Sequence, residues 1–151
     1  MKNDVMEKKI RVAIANDHTA FEFRQPIIEY LKKTGYQVLD LGSTSAKPVD
    51  YPDYGFKIAR TISDQKADLG IAICGTGIGI SIAANRVHGI RCALTYEEET
   101  TRLARLHNNA NVLALGARII APEKAVELVR IFLETPASNE ERHQSRMKKL
   151  N

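Results

Sequence analysis

The stretch IAICGTGIGISIAANRV, residues 71–87, runs from a short apolar segment through glycines 75, 77 and 79 into a second apolar segment of helical length. Ile71 to Ile73 carry no polar side chain, and such a run reads as a strand covered on both faces, in the middle of a parallel sheet. Cys74 closes that strand. A buried structural cysteine needs no glycines and a phosphate loop needs no thiol, so the pairing asks for chemistry that uses both.

The same alternation continues on either side. Apolar strand patterns are expected at 10–15, 36–42, 68–74, 90–96 and 111–116. Amphipathic helical patterns lie at 21–35, 54–66, 78–88, 97–108 and 122–135, with 43–53 as a loop. Pro26 fits a first helical turn or moves the boundary. A βα unit repeated five times predicts an α/β fold, one doubly wound domain over residues 1–151 with a five-stranded parallel sheet between helices. Residues 138–151 read as a helical tail. In such sheets ligands sit beyond the carboxyl ends of the strands, where strand order reverses. If the order begins 2-1-3, the loop after the first strand, with Asn16, Asp17 and His18, shares a crevice with the glycine loop after the third.

Composition narrows the classes. The chain has 151 residues, 44% hydrophobic and 26% charged, with formal net charge +4. Much of the basic excess lies in the tail RHQSRMKKLN, a weak basis for nucleic-acid binding. No apolar run reaches the ~18–20 residues of a membrane span, and MKNDVMEKK lacks the apolar core of a secretory signal. Cys74 and Cys92 lack CxxC spacing, which argues against a zinc site or a disulfide framework and for a reducing, cytoplasmic setting.

The glycine loop is GxGxG. A dinucleotide fingerprint needs glycine at position 80, where Ile80 stands; Glu97–Glu99 sit near the place of a ribose-binding acid, so that reading is weakened rather than excluded. No Gly-Lys-Ser/Thr follows, which excludes a P-loop. What remains is backbone N–H groups that can approach a ligand, backed by a helix N-terminus that favours an anion. A tight turn with no ligand is the competing reading. Cys74 borders that helix start, whereas Cys92, alternating with Ile90 in a strand, reads as packing. His107 and Asn108 end a helix before the fifth strand, on a rim that spacing does not decide. Arg142 and Arg146, four apart, share a helix face and form a natural phosphate clamp. Only Met147 and Leu150 in the tail are clearly apolar, so it is expected to lie over a neighbouring subunit rather than on its own core.

NDHTAF, DYPDYG, CGTGIGISIAANRVHGIRCAL and RLHNNANVLALGARI, in this order, resemble the ribose-5-phosphate isomerase B family, whose relatives include allose- and galactose-6-phosphate isomerases. The resemblance covers residues 10 to 146. It implies a Rossmann-like three-layer α/β/α fold, a homodimer or dimer of dimers with sites shared between subunits, and no metal or other cofactor. It also implies a sugar phosphate as the partner molecule, with ribose 5-phosphate and ribulose 5-phosphate as the expected pair. Cys74 is then the base, and His107 assists ring opening or proton transfer. Asp17, His18 and Asn108 contact the sugar. The loop Gly75, Thr76, Gly77, Ile78 and Gly79 holds an enediolate, and Arg118, Arg142 and Arg146 match phosphate positions. Asn109 departs from the pattern, which often has Asp there, and residues 1–9 are an N-terminal extension of its usual start. Two further readings stand beside this one: thiol acyl transfer by a Cys74–His107 pair, and a nucleotide- or phosphate-binding module without catalysis.

Overall fold

The computed structural model describes residues 8–151; most of the expected N-terminal extension lies outside the described residues. Five strands, β1 (Arg11–Asn16), β2 (Gln37–Asp40), β3 (Leu69–Cys74), β4 (Cys92–Leu94) and β5 (Val112–Gly116), form one parallel sheet in the order β2-β1-β3-β5-β4. Six helices connect and follow them: α1 (Gln25–Lys33), α2 (Tyr51–Ser63), α3 (Ile78–Asn85), α4 (Glu98–Asn108), α5 (Pro122–Glu134) and α6 (Glu141–Lys148).

Side-chain size separates the two faces. Strand residues alternate between faces with period two, so Val12, Ile14, Ile71, Ile73, Leu113 and Leu115 point to one side. There they join Ile27, Leu31, Ala104, Leu128 and Phe132 of α1, α4 and α5. The other face shows mainly small residues, Ala13, Ala15, Ala72, Cys74 and Ala114, beneath α2 and α3. Small side chains let those helices come close to the sheet and to each other. A methyl on Gly55 of α2 would stand 2.7 Å from Cβ of Ala83 in α3. The sulfur of Cys74 therefore belongs to the tight face, at the carboxyl end of the central strand.

Several boundaries differ from the sequence expectation, each for a local reason. The helix expected from residue 21 starts at Gln25, with Pro26 in its first turn, after a 3₁₀ turn over His18–Ala20. The loop expected to reach residue 53 ends at Asp50, because Pro52 opens α2; proline lacks only an N–H that a first turn leaves unpaired anyway. The edge strand β4 is shorter than its apolar pattern. The tail does dock on its own chain: His143 and Met147, one turn apart on α6, are 8% and 6% exposed. The expectation weighed only aliphatic residues and overlooked the imidazole, whose flat apolar faces pack while its nitrogens stay reachable.

Candidate active site

The carboxyl rim of the sheet holds a cleft of about 540 Å³ lined by Asp17, His18, Tyr51, Cys74, Thr76 and Arg118, together with Gly75, Ile78 and Gly79 of the glycine loop. The register explains the convergence. Asn16 pairs with Ile73, and Cys74 with Gly116, so the exits of β1, β3 and β5 end side by side. The N–H of Asp17 donates to the carbonyl of Ile73 at 3.1 Å, and those of Ala117 and Arg118 donate to Cys74 and Gly75, both at 2.9 Å. Three strand exits are thus laced together by backbone.

Cys74 is 4% exposed. Its sulfur accepts the N–H of Gly77 at 3.2 Å. Gly77 has φ +83°, the left-handed region, and a methyl there would meet the Leu115 backbone at 2.9 Å. Only glycine turns the chain here without strain. The Thr76 hydroxyl accepts the N–H of Ile78 at 3.1 Å, which leaves its O–H free to donate. The first helical bond of α3 runs from Ser81 N–H to the Gly77 carbonyl, so the amides of Gly79 and Ile80 have no intrahelical acceptor. A row of donors thus follows the thiol.

On the β1 side, Asp17 Oδ1 accepts the backbone N–H of Thr19 at 3.0 Å and its hydroxyl at 2.5 Å, which orients a carboxylate only 5% exposed. His18 Nδ1 accepts the N–H of Val49 at 3.1 Å. That bond puts the ring proton on Nε2 and makes the outer nitrogen a donor. Arg118, exposed, runs across Gly75: a methyl there would be 3.5 Å from its Cδ and Nη1.

Two tyrosines were not singled out in the sequence. The ring of Tyr51 lies so close to Gly79 that a methyl would meet it at 2.5 Å, and Tyr96 donates its hydroxyl to the Thr76 carbonyl at 2.7 Å. Tyr51 stands in the DYPDYG segment beside the proline that opens α2, a signal that a ring there faces the next strand exit. Tyr96 carries no comparable local signal.

The other expected site residues are elsewhere. His107 and Asn108 end α4, and the chain reaches β5 only at Val112, so they lie on the amino rim. Cys74 pairs with Gly116 at the opposite end of β5, on the order of 13 Å of strand away. Within one chain the Cys74–His107 pair required for acyl transfer is not assembled. Arg142 and Arg146 sit on α6, which packs beside the end of α4: Ser138 N–H donates to the Leu106 carbonyl at 3.0 Å, and His143 stacks on His107. Asp17, His18, Arg118 and the residue 74–79 loop form one group; His107, Asn108, Arg142 and Arg146 form another. Among the described residues, no three His, Cys, Asp or Glu side chains are grouped as a metal would need, and no helix is long and apolar enough to cross a membrane.

A family profile described as ribose/galactose isomerase matches residues 12–150. A probable ribose-5-phosphate isomerase B of Mycoplasma pneumoniae is 41% identical, over 96% of this chain and 95% of its own. A ribose 5-phosphate isomerase from Thermotoga maritima superposes with TM-score 0.90 at 47% identity, covering 95% of this chain and 98% of that one. The Mycoplasma genitalium ribose-5-phosphate isomerase B with bound ribulose-5-phosphate superposes with TM-score 0.88 at 39% identity, covering 95% of both chains.

Proposed function

The chain belongs to the ribose/galactose isomerase family, and from that premise we propose that it interconverts ribose 5-phosphate and ribulose 5-phosphate, with Cys74 as the base. The observation that carries the reading is the Cys74 sulfur at the head of a row of N–H donors, 3.2 Å from that of Gly77, in a cleft shared with Asp17 and His18.

The chemistry uses each part. Cys74, as thiolate, takes the proton from C2 of the open-chain aldose. The C–H electrons form the C1–C2 double bond, and the carbonyl electrons move onto O1. The same sulfur returns the proton to C1, while O2 loses a proton and O1 gains one; the carbonyl is then at C2. Charge develops on oxygen, where preorganised donors act most strongly, a single one contributing about 2.7–4 kcal/mol in comparable sites. Within the Gly75–Gly79 loop the Gly79 N–H and the free Thr76 O–H supply such donors, while the Gly77 N–H faces the sulfur. Asp17 and the Nε2–H of His18 hold the sugar hydroxyls. Arg118 draws the phosphate, and phosphate binding fixes the reacting carbons against the sulfur.

His107, Asn108, Arg142 and Arg146 complete the site from a second copy of the chain, as a homodimer or a dimer of dimers in the cytoplasm. Two features support this assembly. The four residues lie on the opposite rim from their own cleft, and large apolar side chains are exposed in it and next to Arg118 at its edge: Ile78 and Ile82 in its lining are 49% and 58% exposed, and Ile119 is 52% exposed. Apolar surface of this kind beside a polar cleft marks an interaction face. His107 would then donate to and accept from the ring oxygen and anomeric hydroxyl as the furanose opens.

The test is incubation with ribose 5-phosphate and detection of ribulose 5-phosphate, beside parallel reactions with allose 6-phosphate and galactose 6-phosphate. Preferential turnover of the five-carbon sugar is expected. Turnover of only a six-carbon substrate moves the assignment to that branch of the family, and no aldose–ketose conversion of any of them removes it.

A further inference from the structure

The amino rim carries a second polar cleft, of about 580 Å³, that the isomerase reading leaves unused; Lys8, Arg11, Asp68, Arg91 and Arg105 supply its charged groups, and Gln65, Asn109 and Asn111 its side-chain amides. Four cations face one carboxylate, and that carboxylate is already engaged. Asp68 accepts the Arg11 backbone N–H at 2.8 Å and Nη2 at 3.1 Å.

Arg91 and Arg105 are both half-buried and sit on the two oxygens of one residue. Arg91 Nε donates to the Asn109 carbonyl at 2.9 Å, and Arg105 Nη1 donates to Asn109 Oδ1 at 3.0 Å. Their other bonds go to Gly89 O, Asn151 Oδ1, Thr135 O and Ala110 O, all neutral. Among the described residues neither has an ion pair, and Nη2 of each makes no hydrogen bond. Neither Nη2 is sealed from solvent; the only sealed, unpartnered side-chain polar atom among the described residues is Asn16 Oδ1. Buried charge without a counter-charge is costly. Burial pulls both guanidinium groups below their ordinary range, and the charge of Arg91 adds to the effect at Arg105. The carbonyl end of α4 offers about half an elementary negative charge, too little against two full positive ones.

We infer that this amino-rim cleft is a second anion site, taking a phosphate or phosphate monoester on Arg91 and Arg105 with Lys8 at its lip. Guanidinium groups with an open nitrogen suit the forked geometry of phosphate oxygens, and the ligand would supply the charge that the chain leaves out. The site stands apart from the Cys74 cleft, on the opposite rim of the sheet, and does not depend on the reaction proposed there.

Asn109 makes the test sharp. Asn109→Asp is isosteric and puts a carboxylate oxygen on Arg105 Nη1, an internal competitor for the same charge. The experiment titrates full-length protein with inorganic phosphate at constant ionic strength. It follows the Nε–H resonances of Arg91 and Arg105 and the amides of Asn109, Ala110 and Asn111, apart from those of the 75–79 loop. Saturable shifts are expected at millimolar phosphate and not with chloride. Asn109→Asp should weaken binding about tenfold or more, and Lys8→Gln, on the exposed lip, should weaken it severalfold without touching the fold. No saturable shift on this rim, or phosphate binding unchanged in both variants, overturns the inference and leaves the two arginines as caps of neighbouring carbonyls.

Discussion

The imidazole rings of His107 and His143 lie stacked, 4.2 Å between centroids and 10° from parallel. One ends α4 and the other faces inward from α6, so the stack fixes the tail against the helix that presents His107. Arg142 and Arg146 are thereby placed on the same rim as His107 and Asn108.

The stack carries a pH signature. Burial lowers the pKa of His143 from its ordinary 6.5, and the charges of His107 and Arg142 lower it further, while Glu140 opposes them. The unfolded chain takes up this proton as pH falls through 6.5, the folded chain only below that. The contribution is therefore intact above pH 6.5 and is lost as pH drops through the folded value. Urea midpoints should fall from pH 7 to pH 5, with a shallower fall in His143→Phe, which keeps a stacking ring and removes the titration. Equal slopes would assign the pH dependence to other groups.

The two thiols should differ sharply. Burial pushes the Cys92 thiol up to about 12, so it stays protonated at any working pH. Iodoacetamide should label Cys74 first, with loss of isomerase activity and protection by ribose 5-phosphate, and leave Cys92 unmodified; peptide mass spectrometry reads both. Cys74→Ser should lower turnover by about two decades or more, since a hydroxyl is a far weaker base, while Cys92→Ser keeps most of it. A Cys74→Ser enzyme near the wild-type rate removes Cys74 as the base.

Separation of the two residue groups predicts complementation. Subunits with Cys74→Ser and subunits with Arg142→Ala and Arg146→Ala should each be nearly inactive. Charge-assisted bonds contribute roughly 1.5–3 kcal/mol each, so losing both arginines should cost two decades or more in kcat/KM. A mixed dimer would regain one whole site, with Cys74 from one chain and both arginines from the other. Verified heterodimers without activity would return the arginines to their own subunit.

The glycines should rank by what surrounds them. Gly77→Ala forces a left-handed φ and meets the Leu115 backbone, which has nowhere to move; a loss of about 1–3 kcal/mol is expected in urea unfolding, with activity lost as well. Gly79→Ala meets the Tyr51 ring first, a side chain that can give way more easily than backbone, so stability should fall less while substrate use suffers. The reverse order would mean that the loop relaxes more freely than its neighbours.

Sequence by itself determined the βα repeat and the chemistry of the central loop. Alternation with period two, helical patterns of period 3.6 and the adjacency of Cys74 to its glycines are local properties, written in neighbouring residues. The same locality made Asp17 and His18 readable as the exit of β1 once a 2-1-3 start was assumed. Helix starts slipped where proline admits more than one register, at Pro26 and Pro52.

Tertiary structure decided what depends on distant contacts. No local pattern puts β5 between β3 and β4, yet that order sets Gly116 beside Cys74 and brings Arg118 across Gly75. Nor does spacing say that His107 ends on the amino rim; the direction of β5 does, because a parallel strand begins on the rim opposite its exit. The docking of His143 and the closeness of Tyr51 to Gly79 likewise exist only when separate elements pack. Burial is a property of the assembled layers, and a side chain as polar as histidine reveals its buried face only there.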